Sequence, residues 1–373
     1  MLAPRHRPWG NRVVREAFAL AAAGYCVRVL ARADEEQVER GVFFVPGPRA
    51  VNRLQGLLQM LSILRWALRE RADVYHLHNP PMLLVGFGLK LLGKCVVYDT
   101  HEDFSRRLLL RQWIPRFLRR PASFAVSRTE RVLGRLADAT LVTQKQQVRD
   151  FGGRARLLRN APLIDQTVRE RVSALTPVAT DERGYFRLLY VGSLTRVRGG
   201  MNLLDALDRL NDSGMASRLW LIGPDDDGVV DELRRHTAWE YVDYLGLKPQ
   251  EEAFAYMSLA DVGLAVLPDV GDHADALPSK LFEYMAWGLP FVASDFPVWR
   301  SFVGETAGRW VRPEDPQQLA STLAAMLNDP EATKGFAEGG RAFIRSFNWD
   351  NESQVLLDVY ETICRKAYLV PKP

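Results

Sequence analysis

The chain has 373 residues, 47% of them hydrophobic and 25% charged, with a formal net charge of +4. That composition excludes wholesale disorder, the small charge leaves no electrostatic footprint for nucleic acid, and the length favours two domains over one core. Three cysteines, Cys26, Cys95 and Cys364, odd in number and far apart, fit a reducing compartment without a disulfide frame.

Helix-like and strand-like segments alternate through the first half. RVVREAFALAAAG (12–24) has helical period and ends at a glycine suited to a C-cap. YCVRVLA (25–31) reads as a strand and 53–71 as a long amphipathic helix. DVYHLH (73–78) is a strand, MLLVGFGLKLLG (82–93) a buried helix, and KCVVYDT (94–100) and ATLVTQ (139–144) are further strands. Strands separated by helices imply parallel pairing through right-handed crossovers. Residues 162–184 lose the periodicity and read as a linker. A second alternation follows: strand 186–192, helix 202–212, strands 217–223 and 261–268, helix 279–287, strand 290–295 and a last long helix at 351–367. The expected fold class is α/β, with two Rossmann-like doubly wound domains facing a cleft. The expected boundaries are residues 1–165, a linker at 166–184, residues 185–347, and a C-terminal helix over 348–373.

No Cys-x-x-Cys or His-Glu-x-x-His pattern occurs, so no metal site is expected. The longest apolar run, 82–93, carries Lys90 and falls short of the roughly 20 residues that span a bilayer. MLAPRHRPWGNRV lacks the apolar core of a signal peptide. A cytoplasmic protein, peripheral at the inner face of the plasma membrane, is the expected setting.

In doubly wound sheets ligands sit at the carboxyl ends of the strands. After KCVVYDT comes His101, which can donate to a phosphate or a sugar hydroxyl, or simply cap a loop. After FRLLYVG comes SLTRVRGG, with Gly192 closing the strand and Ser193, Arg196 and Arg198 in a Gly-rich, basic turn that suits an anion. Asp225 to Asp227 read as an ordinary polar turn. In DALPSKLFEYMAWGLPFVASD, Lys280 and Glu283 are three apart near a helix start, and Asp275 lies in the preceding loop. A diphosphate would suit Lys280, and a carboxylate at Glu283 can take two ribose hydroxyls. The bland alternative is a surface Lys–Glu pair beside an unrelated acid.

GLKLLGKC (88–95) matches a phosphate-loop pattern, but Cys95 replaces the magnesium-binding hydroxyl and the order runs helix to strand, the reverse of what is needed. His76 and His78 alternate on a strand without an evident third ligand, so a buried or cleft-lining role is expected.

In this order and spacing the motifs resemble the family-4 (group 1) retaining glycosyltransferases of the GT-B fold. The likeness runs from RVVREAFALAAAGYCVRVLA through DVYHLHNP, VVYDTHEDF, LLRNAPLID, LLYVGSLTRVRGGMNLLDAL, WLIGP, VDYLGL and DVGLAVLP to PSKLFEYMAWGLPFVASDFPVWR. The resemblance implies a nucleotide-sugar donor, no cofactor and no metal. It makes His101, Asp275 and Lys280 catalytic. It assigns substrate binding to Gly192, Ser193, Arg196, Arg198, Gly246, Leu247, Leu281 and Glu283. Within it, Glu283 holds the donor ribose, Asp275 touches the transferred sugar, and Lys280 neutralises the diphosphate. The final helix is implied to brace the first domain.

Three departures stand out. Asp275 is one methylene shorter than the family's glutamate, and Ser193 replaces a phosphate-binding arginine for which Arg196 or Arg198 would compensate. Only Met1-Leu2-Ala3 remain of a first strand, which implies unpaired backbone on its neighbours.

Residues 105–136 hold nine arginines against one acid, Glu130, with Trp113, Ile114, Phe117 and Leu118 interleaved. Such a segment suits an anionic membrane surface and a lipid-linked acceptor, or packs on the sheet. The leading expectation is transfer of a hexose-type sugar to a glycan or lipid-linked acceptor in surface polysaccharide biosynthesis. The alternatives are a non-catalytic GT-B-like protein that binds a sugar nucleotide or a partner, a sugar-nucleotide epimerase, and a dinucleotide oxidoreductase. The last is disfavoured because no G-x-G-x-x-G follows a strand.

Overall fold

A computed structural model describes residues 1–4, 12–47, 53–111, 114–175 and 184–369. Trp113, residues 5–11 and residues 176–183 of the expected linker lie outside these. The chain divides into two units, Met1–Asn160 with Trp349–Pro373, and Ala161–Asn348.

The first unit contains β1 (Val27–Ala31), β2 (Gln37–Glu39), β3 (Val42–Pro46), β4 (Tyr75–His78), β5 (Val96–Thr100), β6 (Ala139–Val142) and β7 (Ala155–Leu157). They form two ladders, β1-β3-β2 and β4-β5-β6-β7, parallel except for the β2–β3 pair. Leu2 lies in the seam, bridging Leu30 of β1 and Leu77 of β4 in parallel. Its amide donates to the His76 carbonyl at 2.7 Å and its carbonyl accepts from His78 N–H at 3.2 Å. On the other side Ala3 N–H reaches Leu30 O at 3.0 Å, and Leu30 N–H reaches Met1 O at 2.9 Å. The unpaired neighbouring backbone expected from the short first strand is therefore not what is found, because Met1 to Ala3 supply the missing partners here.

Both faces of β4 and β5 are covered, and all their residues are buried, as parallel strands under crossover helices must be. The helix Trp349–Leu369 belongs to this unit. Trp349 Nε1 donates to Arg15 O at 3.2 Å, and Glu352 takes Arg159 in a two-pronged ion pair.

The second unit contains β8 (Phe186–Val191), β9 (Ser217–Ile222), β10 (Val242–Gly246), β11 (Val262–Ala265), β12 (Phe291–Ser294) and β13 (Gly308–Val311). All pairs are parallel, in the order β10-β9-β8-β11-β12-β13. The chain reverses direction between β8 and β11, the switch point where doubly wound sheets take ligands. The expected linker is partly wrong. Gln166–Ser173 is a helix capped by the Asp165 side chain, and Val172 is buried in the second unit's core. Helical spacing of Val168 and Val172 outweighed the polar composition around them.

Tyr284 ties the switch point together. Its ring lies against Gly263, where a Cβ would clash. Its hydroxyl takes the Val191 amide at 3.1 Å and faces the carbonyls of Leu189 and Leu264 at 3.3 and 3.2 Å. Tyr284→Phe leaves these buried groups without the hydroxyl, so chemical denaturation is expected to show a loss of about 1–3 kcal/mol.

In the first unit the helix Arg116–Leu136 buries Glu130, whose Oε1 accepts from Tyr98 Oη at 2.7 Å and Thr100 Oγ1 at 3.1 Å. Burial pushes this carboxyl up to about 7. Its folded pKa exceeds the unfolded value, so the native state holds more protons than the unfolded chain between pH 4.5 and 7. The stability it contributes is present below that window and is lost as pH rises through it. Wild type should therefore lose about 3 kcal/mol relative to Glu130→Gln across the window, and nothing further above it. Denaturation of the two proteins at a series of pH values checks this.

Candidate active site

In the second unit the site residues collect at the carboxyl ends of the strands. β8 ends at Gly192, whose φ of 145° favours glycine. A Cβ there would meet Lys280 Nζ, and a Cβ on Gly223 at the end of β9 would collide with the Gly192 carbonyl. The turn passes through Arg196–Arg198 to Gly199, at φ 75°, which opens the helix Gly200–Asp212. Backbone and helix dipole thus present a positive end at the switch point.

The helix Ser279–Trp287 starts beside it, after Pro278. Lys280 is only 6% exposed. Its ammonium lies 3.6 Å from the centroid of the Tyr190 ring and has no hydrogen-bond partner among the described residues. Burial first, and then the Arg198 charge, hold this amine well below its usual range, against the opposing charge of Glu283. The Arg198 charge also bears on the Tyr190 hydroxyl, against the larger effect of burial. Glu283, one turn on, is half-buried, as is Asp275 in the loop Asp269–Ala276. That loop is fixed by Trp299 Nε1 donating to Ala276 O at 2.8 Å and by His273 Nδ1, 3.0 Å from Pro268 O.

The other expected residues divide. Ser193 is half-buried, and its carbonyl accepts from Tyr190 Oη at 3.2 Å. Gly246, at φ 67°, ends β10, and its carbonyl takes the Gly223 amide; Leu247 beside it is exposed. Arg196 does not join Lys280. Its side chain is taken by Asp227 O at 3.0 Å and Glu232 at 3.2 Å, so of the two arginines it is Arg198 whose charge acts on the lysine. Leu281 is a correction: it is wholly buried in the core, and its amide donates to Pro278 O at 3.2 Å. Apolar burial, not ligand contact, fixes that position.

The first unit carries a second polar group at the ends of β4 and β5. Arg12 grips Asp99 with two bonds, Nε to Oδ2 at 2.9 Å and Nη2 to Oδ1 at 3.1 Å. It also bonds Leu158 O at 2.6 Å and Asn160 Oδ1 at 3.1 Å, and lies 2.7 Å from Glu16 one turn along its helix. Burial opposes charge on Asp99, but Arg12 holds its carboxyl well below the usual range. Burial and the Asp99 charge push Glu16 well above its own, against Arg12. The guanidinium thus pairs first with Asp99, and Glu16 is the acid whose charge burial and Asp99 oppose. Burial lowers His76 to about 3, and His78 falls well below its usual value through burial and His76. Both rings are neutral, stacked with centroids 4.4 Å apart, and His76 Nδ1 lies 3.0 Å from Tyr360 Oη.

Asp99 Oδ2 is 3.3 Å from His101 Nε2. Glu16, His76, His78 and Asp99 bring ligand atoms within 4.8 Å of one another, a set able to hold a cation. The third and fourth partners for the histidine pair exist, contrary to expectation. Arg12, however, already supplies the positive charge between the two carboxylates, so the donor set does not call for a metal.

Arg12, Glu16, Asp99, Tyr190 and Tyr360 escaped sequence reasoning. The i, i+4 spacing of Arg12 and Glu16 on an otherwise apolar helix was a usable signal. So was Asp99, two residues before His101 and hence on the same side of the chain. Tyr360 had none, since it comes from the far end of the chain.

The family model described as Glycosyltransferase Family 4 matches residues 10–159, and that described as Glycosyl transferases group 1 matches 185–329. A phosphatidyl-myo-inositol mannosyltransferase of Mycobacterium tuberculosis is 26% identical over 95% of this chain and 92% of its own. The amylovoran biosynthesis glycosyltransferase AmsK of Erwinia amylovora is 30% identical over 39% of this chain and 37% of its own. In fold, the chain is similar to sucrose-phosphate synthase from Thermosynechococcus elongatus, with TM-score 0.78 and 19% identity over 98% of both chains. It is also similar to Anabaena HepE in complex with UDP and glucose, with TM-score 0.70 and 16% identity over 96% of this chain and 98% of that one. With two doubly wound units and matches across both, the chain belongs to the group 1, family 4 glycosyltransferases of the GT-B fold.

Proposed function

We propose that the protein moves a hexose-type sugar, with retention, from a nucleoside-diphosphate donor to a glycan or lipid-linked acceptor in surface polysaccharide or glycolipid assembly. One observation carries the reading. The buried Lys280 ammonium, without a hydrogen-bond partner among the described residues, faces the switch point beside Arg198. A buried amine beside the switch point and the charge of Arg198 suit a diphosphate leaving group, whose charge grows as the sugar departs and favours the protonated amine. They take the part a divalent metal would play elsewhere. Glu283 accepts the ribose hydroxyls and Asp275 touches the sugar; in the first unit, His101 is the residue suited to meet a sugar hydroxyl.

The test is thermal unfolding with UDP, GDP, ADP and NAD. A nucleoside diphosphate at 100 times its dissociation constant adds about 2.7 kcal/mol. The gain should collapse in Glu283→Ala and Lys280→Met. Asp275→Ala should keep the gain and lose turnover. A cooperative melt that no nucleoside diphosphate raises would sink the donor assignment, and full turnover by Asp275→Ala would sink the role of that acid.

The acceptor side rests on the helix Arg116–Leu136. Ile114, expected on the membrane face, is buried instead. Phe117 and Phe124 are 78% and 72% exposed, with Leu118 and Val132 also open to solvent, among the arginines. Apolar rings within a basic face suit an anionic lipid surface, and the mycobacterial relative is named for a lipid acceptor. Among the described residues no helix is long and apolar enough to cross a membrane, so the proposed contact is peripheral, at the cytoplasmic face. Phe117→Ala with Phe124→Ala should weaken binding to phosphatidylglycerol vesicles at least about tenfold in sedimentation, at unchanged melting temperature. Undiminished binding would exclude this helix as the contact.

A further inference from the structure

The tautomer of His101 follows from heavy-atom positions alone. The His101 backbone N–H can only donate, and it meets Asn79 Oδ1 at 3.1 Å. That fixes which end of the Asn79 amide is oxygen. The Asn79 NH2 group then faces His101 Nδ1 at 3.4 Å. An amide NH2 has no lone pair to offer, so Nδ1 must be the acceptor and the ring proton sits on Nε2. This N–H has the Asp99 Oδ2 acceptor at 3.3 Å, and His78 Nδ1 lies 3.1 Å from the same nitrogen. Asp99 is wholly buried and clamped by Arg12, whereas His101 keeps some exposed surface.

Asn79 itself stands at φ 68° and ψ 164°, a conformation that a residue with a Cβ rarely adopts. Its amide donates to the Asp99 carbonyl at 2.8 Å. Backbone strain of this kind persists only where the surroundings hold it. Here it places the carboxamide across the His101 ring. Asp99 and Asn79 come from separate segments and converge on one imidazole, with Arg12 from a third holding Asp99.

We infer that Asp99, backed by Arg12, is a positioning residue that locks His101 as the Nε2–H tautomer and turns its Nδ1 lone pair to the substrate. A sugar hydroxyl meeting His101 then donates to it, displacing the long contact from Asn79. A ring with a fixed acceptor needs no rearrangement when the donor arrives. The inference rests on the reading of His101 as a residue that meets the sugar.

Long-range 1H–15N spectra of the full chain labelled with 15N-histidine read the tautomer directly, with Asn at His101 identifying its signals by their loss. The expected result is a bare, pyridine-type Nδ1 and a protonated Nε2 in the parent. The Asp99→Asn variant should move the two nitrogens toward averaged shifts, and Asp99→Glu should restore them. A protonated Nδ1, or averaging in the parent, overturns the inference even if Asp99→Asn fails to fold.

Turnover supplies the second arm, with UDP-glucose and GDP-mannose as donors and release of the nucleoside diphosphate as the readout. Asp99→Asn should lower kcat at least about tenfold in the parent and cost nothing further when His101 is already Ala. Equal losses in both backgrounds would make Asp99 structural only. Absence of release from either donor by the parent would count against the transferase reading, while the spectra still decide the tautomer.

Discussion

A parallel strand covered on both faces leaves no water for any polar side chain it carries. Each polar group on such a strand must find its partner inside the protein or lie at the strand's end. Both units obey this constraint. In the second unit the polar strand residues are paired, Arg218 with Asp243 across β9 and β10 and Ser294 Oγ with the Leu267 backbone, and the chain turns out of the sheet at Gly192, Gly223 and Gly246. In the first unit the pairing is denser. β4 carries His76 and His78, and β5 carries Asp99 and Thr100, all buried. Arg12, Glu16, Glu130 and Tyr360 come from three helices to satisfy them.

The two buried basic groups show how differently such a group can be placed. Arg12 is compensated: it has a charged partner, two carbonyl-type acceptors and a second acid beside it. Removing either side of such a pair costs far more than the pair is worth against an apolar core, so its value lies in fixing geometry. Lys280 is desolvated to a similar degree, has an aromatic face under it, and another cation rather than a carboxylate is its nearest strong influence after burial. A protein gains nothing in stability from that arrangement. The unfavourable charge is relieved only when an anion arrives, which makes the deficit itself the mark of a binding site.

Much of this was legible in the sequence and some was not. The alternation of periods gave the two doubly wound units, because a strand of four to six buried residues between amphipathic helices has few other readings. The Gly-rich turn and the Lys280–Glu283 spacing, with the acid-x7-acid motif that the resemblance implies, made Asp275, Lys280, Glu283 and Arg198 candidates, and the structure sets all four in the second unit, with Lys280 buried beside the switch point. The failures have separate physical causes. Leu281 sits next to Lys280 in sequence, but a helix turns successive residues by about 100°, so its neighbour faces the core. Arg196 was captured by Asp227 and Glu232, acids read only as a turn. The helix Gln166–Ser173 hid in a polar stretch because a short helix on a surface needs few apolar positions. The partners of Asp99 lie 87 residues upstream and, for His76, 284 residues downstream, and no local pattern encodes such distances.

The seam at Leu2 connects these themes. Leu2 pairs with His76 and His78 on one side, while Met1 and Ala3 pair with Leu30 on the other, so β1 and β4 share a single short partner. The same two histidines carry their side chains into the Asp99 cluster. The backbone that closes the sheet and the side chains that orient His101 are therefore one structure, fixed at two levels. A strand that slipped by one residue would exchange His76 and His78 for Leu77 at the polar cluster, since side chains alternate along a strand. Register at β4 is thus specified twice, by the seam and by the buried charges. That double specification fixes the cluster against which the His101 ring lies at the end of the neighbouring strand.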